Sequence, residues 1–246
     1  MSCKNELTPS ESASKAMQHL NDGAYDFLDF GCSSGGSMSF AKKYLGGNNG
    51  LGLDINTEKV KETQANGFDA VAEDILSINI KNCVRFEIMS HFLEHVEHAD
   101  VPRFIKKASD LATDFIFIQQ PSFENSYELL QRGLKMTYSD WRGHRNSYSG
   151  LDFYKLCQQL RSNGTIEDFS LGYFRKVNDS SHDRIVPLSS PTDTVIYSNH
   201  LGEKAEETFN FELFEEISLI ITLRRGFDHI HDLGRRDKTI YSSISQ

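Results

Sequence analysis

The stretch Tyr25-Asp26-Phe27-Leu28-Asp29-Phe30-Gly31-Cys32-Ser33-Ser34-Gly35-Gly36-Ser37 constrains the fold more than any other. An apolar run carrying Asp29 enters a turn of small residues, and Met38 to Leu45 continues with helical character. That order fits a short strand, a tight glycine turn and a helix. Gly31 and Gly35 permit positive φ angles or close approach of a ligand to the backbone. The helix after them presents unpaired N–H groups and the positive end of its dipole. Gly50-Leu51-Gly52-Leu53-Asp54-Ile55-Asn56 reads as a second strand with Asp54 at its carboxyl end. A glycine turn after one strand and a carboxylate after the next suit a nucleoside, the acid accepting from ribose hydroxyls.

The remaining pattern alternates strands and helices. Asn56 caps a helix over 57–66, which Gly67 closes, and 68–72 gives a third strand. The fourth strand spans 83–90, and Asp100 caps a helix over 101–111. Residues 114–119 are almost continuously apolar, as in a parallel strand covered on both faces. Ser149 and Asp152 form a capping-box-like start for a helix over 150–161, followed by a strand over 165–171. The β-branched run 217–223 is the last strand, antiparallel to its neighbour. Together these predict an α/β fold, a Rossmann-like seven-stranded mostly parallel sheet with helices on both faces. Residues 1–24 form a polar leader or cap helix, 25–225 the domain, and 226–246 a charged tail. Two insertions interrupt the domain. One, 122–148, holds a helix around 127–134; the other, 173–216, holds a short strand at 194–197 and a helix over 203–216.

Composition narrows the function. Of 246 residues 25% are charged and the formal charge is −9, which opposes a nonspecific grip on nucleic acid phosphates. The arginine pairs at 224–225 and 235–236 read as solvated surface. Cys3, Cys32, Cys83 and Cys157 lack zinc or disulfide spacing, and His229 with His231 lacks a supporting third ligand, so no metal is expected. No signal peptide or membrane span is seen, and a reducing cytoplasmic setting is the default expectation.

Asp29, Gly31, Ser33 and Gly35 resemble motif I of the class I S-adenosylmethionine (SAM)-dependent methyltransferases. Leu93-Glu94-His95-Val96, after the fourth strand, resembles a turn found in the small-molecule members, and the likeness covers about residues 25–172. The resemblance implies SAM as cofactor. It places Asp29, Gly31, Ser33 and Gly35 at the methionine end, Asp54 and Ile55 at the ribose, Asp74 and Ile75 at the adenine, and Ser90 in the same pocket. It also implies a small-molecule or glycan-precursor acceptor. One departure stands out: relatives begin the fourth strand with Asp, where this chain has Arg85, with Glu87 two residues later.

Histidine suits proton transfer near neutral pH. His91 and His95, after the fourth strand, and His144, in Trp141-Arg142-Gly143-His144-Arg145-Asn146, are the candidate catalytic residues. Glu94-His95 also reads as a structural pair, and Trp141 as a buried loop anchor. The aromatics Tyr127, Tyr138, Trp141 and Tyr148 place acceptor selectivity in the insertions. Other readings remain open. A methyltransferase-fold domain that binds SAM or a partner without transfer is one. A NAD-dependent oxidoreductase is another, though Ser33 stands where a dinucleotide fold has its second glycine. Nucleic-acid methylation is the weakest.

Overall fold

The computed structural model describes residues 9–191, 206–227, 229–230 and 236–242. Its main sheet begins with β1 (Phe27–Phe30), β2 (Gly50–Asp54), β3 (Asp69–Ala72), β4 (Val84–Ser90) and β5 (Ala112–Pro121). These pair in parallel, in the order β3-β2-β1-β4-β5. β9 (Thr208–Thr222) lies antiparallel between β5 and β7 (Asp168–Asp179), and β10 (Lys238–Ser242) adds an antiparallel outer edge. The fold is Rossmann-like, with eight strands in place of the seven expected.

Strand alternation separates two cores. Leu28, Phe30, Leu53, Ile116, Ile118 and Leu219 pack with α1 (Pro9–Asn21), α4 (Val101–Leu111) and α6 (Gly150–Ser162). Phe27, Phe86, Ile88, Phe115 and Ile220 face α2 (Gly36–Tyr44) and α3 (Thr57–Ala65). On this side Phe27, Phe86 and Phe115 stack across three strands at centroid spacings of 5.1 and 4.7 Å. Such pairing adds roughly 0.5–1.5 kcal/mol per contact beyond area burial. Two of the three capping expectations hold: Asn56 accepts from Glu58 N and Lys59 N, and Ser149 with Asp152 closes a full capping box, whereas Asp100 makes no capping bond to the backbone and its carboxylate accepts from Arg103 instead.

The C-terminal half departs from the sequence reading. The helix expected over 203–216 falls partly outside the described residues; from Thr208 onward the chain is strand β9. Phe209, Phe211 and Leu213 alternate with Asn210 and Glu212, and pairing with β7 prevails over the helix propensity of the glutamates. The strand expected at 194–197 lies wholly outside the described residues. In the first insertion the helix is shorter, α5 (Ser126–Gln131), and β6 (Leu134–Met136) follows. β6 pairs with β8 (Ile185–Pro187), and a third core of Leu129, Leu134, Met136, Val177, Ile185 and Leu213 joins both insertions to the ends of β7 and β9.

The stretch expected as a tail supplies β10. Arg236, expected at the solvated surface, donates to Ser218 Oγ at 3.1 Å and to Ser170 Oγ at 2.9 Å, tying this segment to the sheet. Among the described residues no helix is long and apolar enough to cross a membrane.

Candidate active site

The carboxyl ends of β1, β2 and β4 carry most of the residues singled out from the sequence. Gly31 has φ +73, and a Cβ there would stand 2.6 Å from the Phe92 ring. Gly35 has φ +87, and its Cβ would meet Phe68 at 2.8 Å. Neither position accepts a side chain without a local shift. The turn between them is fixed from outside, because Thr63 Oγ1 donates to Ser33 O at 2.6 Å and Asn66 Nδ2 to Ser34 O at 2.9 Å.

Asp29 is fully buried. Ser37 Oγ donates to its Oδ2, but Oδ1 has no hydrogen-bond partner among the described residues. Burial, opposed by the Ser37 bond and aided by Asp54, pushes its carboxyl up to about 7. Burial also holds the Glu87 carboxyl well above its ordinary value, with the charge of Asp29 adding to the effect. Asp54 is half-buried at the mouth of the turn. It accepts from Asn56 N at 2.9 Å and from Ser33 N at 3.3 Å. Ile55 beside it is 80% exposed. Asp74 is exposed and accepts from Leu76 N, whereas Ile75 belongs to the main core. Ser90 is half-buried at the last position of β4.

Beyond β4 lies a cavity of about 340 Å³ lined by His91, Gln119, Tyr138, Trp141, Arg175 and Glu216, among others. His91 takes a left-handed φ of +54. Its ring stands between Glu94, 3.4 Å from Nδ1, and Glu216, 3.8 Å from Nε2. Burial opposes protonation of His91, but the two carboxylates outweigh it and raise its pKa. Arg175 pairs with Glu216 at 2.6 Å, and His182 Nε2 stands 3.0 Å from Glu215. Tyr138 Oη lies 2.9 Å from both Ser122 O and Glu215 O, and burial holds its phenol well above the usual range.

His144 lines this cavity, whereas His95 is turned to Gly143 O, 2.9 Å from its Nδ1. The two rings are 5.2 Å apart, so the loop carrying Trp141 and the turn after β4 are brought together. Sequence reasoning missed Gln119, Arg175, Glu215 and Glu216. The last two sit on β9, where a helix was expected, and Arg175 lies in the extension of β7, where an insertion was expected. Only the pairing of those extensions places them at the cavity.

Arg85, the departure noted in the sequence, is the second residue of β4, at the end opposite Ser90, and pairs with Asp114 at 3.4 Å. Glu87 lies inside the strand, fully buried.

No protein-family model matches the chain, and no curated protein matches its sequence. Solved structures do match its fold. A SAM-dependent methyltransferase from Archaeoglobus fulgidus superposes with TM-score 0.54 at 16% identity, covering 86% of this chain and 94% of that one. A putative methyltransferase from Bacillus halodurans gives 0.51 at 13% identity, over 87% and 98% of the two chains. A possible histamine N-methyltransferase from Thermotoga maritima gives 0.51 at 12% identity, over 85% and 89%. The chain therefore has the fold of the SAM-dependent methyltransferases.

Proposed function

We propose that this protein binds SAM and transfers its methyl group to a small-molecule or glycan-precursor acceptor. The observation that carries the reading is the unpartnered buried Oδ1 of Asp29 behind a turn that excludes side chains at Gly31 and Gly35. A buried carboxylate oxygen without a donor is costly, and an ammonium group relieves it. Asp29 would take the cofactor's ammonium, directly or through water. Gly31, Ser33 and Gly35 would wrap its amino-acid portion, and Asp54 would accept from the ribose hydroxyls. The exposed Ile55 would lie against the nucleoside, Asp74 would meet the adenine amino group, and Ile75 would support that wall from the core. Ser90 would border the reacting end.

Bound SAM supplies an activated methyl, leaving the protein to align the acceptor and manage its proton. His91 lines the cavity, next in sequence to the Phe92 that covers Gly31, and is the residue we assign to the acceptor's proton. Paired charges at Arg175–Glu216 and aromatic walls at Tyr138 and Trp141 suit a small polar acceptor. Arg85, the departure from the family pattern, lies at the end of β4 opposite Ser90, away from the residues assigned to this chemistry. No observation favours the nicotinamide alternative.

Calorimetric titration with SAM and with its demethylated product tests cofactor binding. Labelled methyl donor with pooled metabolites tests transfer. Folded protein that binds neither nucleoside overturns the proposal; binding without any labelled product reduces it to the non-enzymatic reading.

A further inference from the structure

Three side chains near the cavity form a cluster that cofactor binding does not use. Glu94 and His95 lie on the single 3₁₀ turn Leu93–His95, and His144 on the loop before α6. One ligand atom from each stands within 4.8 Å of the other two. The Glu94 carboxylate is fully buried, and neither of its oxygens has a hydrogen-bond partner among the described residues. The His91 ring stands 3.4 Å from its Oε1, outside the cluster, and a buried carboxylate with no hydrogen bond of its own is stabilised further by a cation on its other side.

Each imidazole has one nitrogen held by a backbone carbonyl. His95 Nδ1 is 2.9 Å from Gly143 O, and His144 Nδ1 is 3.1 Å from Tyr138 O. A carbonyl oxygen only accepts, so each Nδ1 carries a proton, and in the neutral ring each Nε2 then keeps its lone pair. A backbone carbonyl holding the far nitrogen is how ligating histidines are oriented in metal sites. His95 Nε2 is 4.0 Å from Glu94 Oε1. The frame is braced as well: Asn146 Nδ2 donates to Leu93 O and Val96 O, both at 2.7 Å, and Arg145 N donates to Glu94 O at 2.8 Å.

We propose that Glu94, His95 and His144 bind a divalent first-row transition-metal ion, in the range from Mn²⁺ to Zn²⁺. Two imidazoles and one carboxylate select such ions over Mg²⁺ and Ca²⁺, which take oxygen ligands. Bonds of about 2.1 Å place ligand atoms roughly 3.4 Å apart, so the side chains draw together by about an ångström on loading. Three protein ligands leave a coordination position open. His144 lines the cavity, so that position belongs to water or to an acceptor oxygen. The acceptor role rests on the methyl-transfer reading, whereas metal binding stands without it.

The test uses the full chain, stripped with chelator and titrated separately with Zn²⁺, Mn²⁺ and Co²⁺ by calorimetry, with visible absorption for Co²⁺. One ion per chain is expected for at least one of these metals, with a rise in melting temperature. Glu94→Gln and His144→Ala are each expected to weaken binding by about 100-fold or more. His144 is only half-buried, so its variant decides the matter should Glu94→Gln fail to fold. A His229→Ala/His231→Ala variant is expected to keep the site, which separates it from adventitious binding at those histidines. Absence of stoichiometric binding of all three ions by folded protein overturns the proposal, as does binding that survives the His144 change. SAM titration of the same sample distinguishes the two readings, since metal bound without SAM removes only the methyl-transfer assignment.

Discussion

The two halves of the sheet's carboxyl edge are built differently. The glycine-turn half takes its groups from one run of sequence, Asp29 to Asp74, with each strand pairing parallel to a near neighbour. The cavity half is drawn from His91, Gln119, the loop around His144, Arg175 and Glu216. The first needs only local geometry: a turn, a helix start and an acid. The second depends on long-range pairing of β5, β7 and β9, which carries extended backbone past the sheet edge. A site of the first kind is preset by short motifs, whereas one of the second kind is free to change with the insertions that form it.

That contrast makes four outcomes checkable, the largest first. Asp29 keeps a proton in the folded state that the unfolded chain releases near the ordinary carboxylate value of 3.8. Its contribution to stability is therefore complete below pH 4 and is lost as pH rises to about 7. The swing is on the order of 4 kcal/mol. In the ligand-free protein Asp29→Asn is expected to flatten this part of the melting-temperature profile between pH 4 and 7, and an unchanged profile breaks the account.

Next, Asp54→Ala removes the acceptor proposed for the ribose while the second half of the site stays intact. SAM affinity is expected to fall about 100-fold, two charged hydrogen bonds being worth roughly 3 kcal/mol together. Calorimetry on a variant with unchanged circular dichroism checks it, and retained affinity would remove Asp54 from the cofactor site.

Asn146→Ala probes the opposite half, because one amide holds two carbonyls of the turn after β4. A stability loss of about 2 kcal/mol is expected. SAM affinity should change little; if it collapses, the halves are coupled and the comparison is wrong. The smallest effect is expected from Arg236→Ala, which removes the Arg236 bonds to Ser170 and Ser218 at the β10 edge. Chemical denaturation should register about 1 kcal/mol, with transfer activity unaffected.

Legibility in the sequence followed the same division. The strands from β1 to β5 and their capped helices were readable because their signals lie within a few residues: Asn56 before its helix, Gly67 after it, and an apolar run at 114–119. The two motifs of the cavity half, Leu93-Glu94-His95-Val96 and Trp141 to Asn146, were also visible. Their meeting was not, since nothing in either states that Asn146 bonds Leu93 and Val96. Glu203 to Glu216 misled because acidic, helix-favouring residues carry no mark of the partner strand that overrides them. β10 was hidden for a related reason: an arginine reads as surface until two buried serine hydroxyls are placed beneath it.

By itself the sequence determined the strand–turn–helix order and the placing of Asp29 and Asp54 at neighbouring strand ends, because backbone sterics and hydrophobic period act over short distances. Tertiary structure alone decided that β7 and β9 run on as a pair to bring Arg175 and Glu216 to His91, and that Glu94, His95 and His144 converge. Those contacts join residues far apart in the chain, and their energy exists only once the intervening segments have folded and packed.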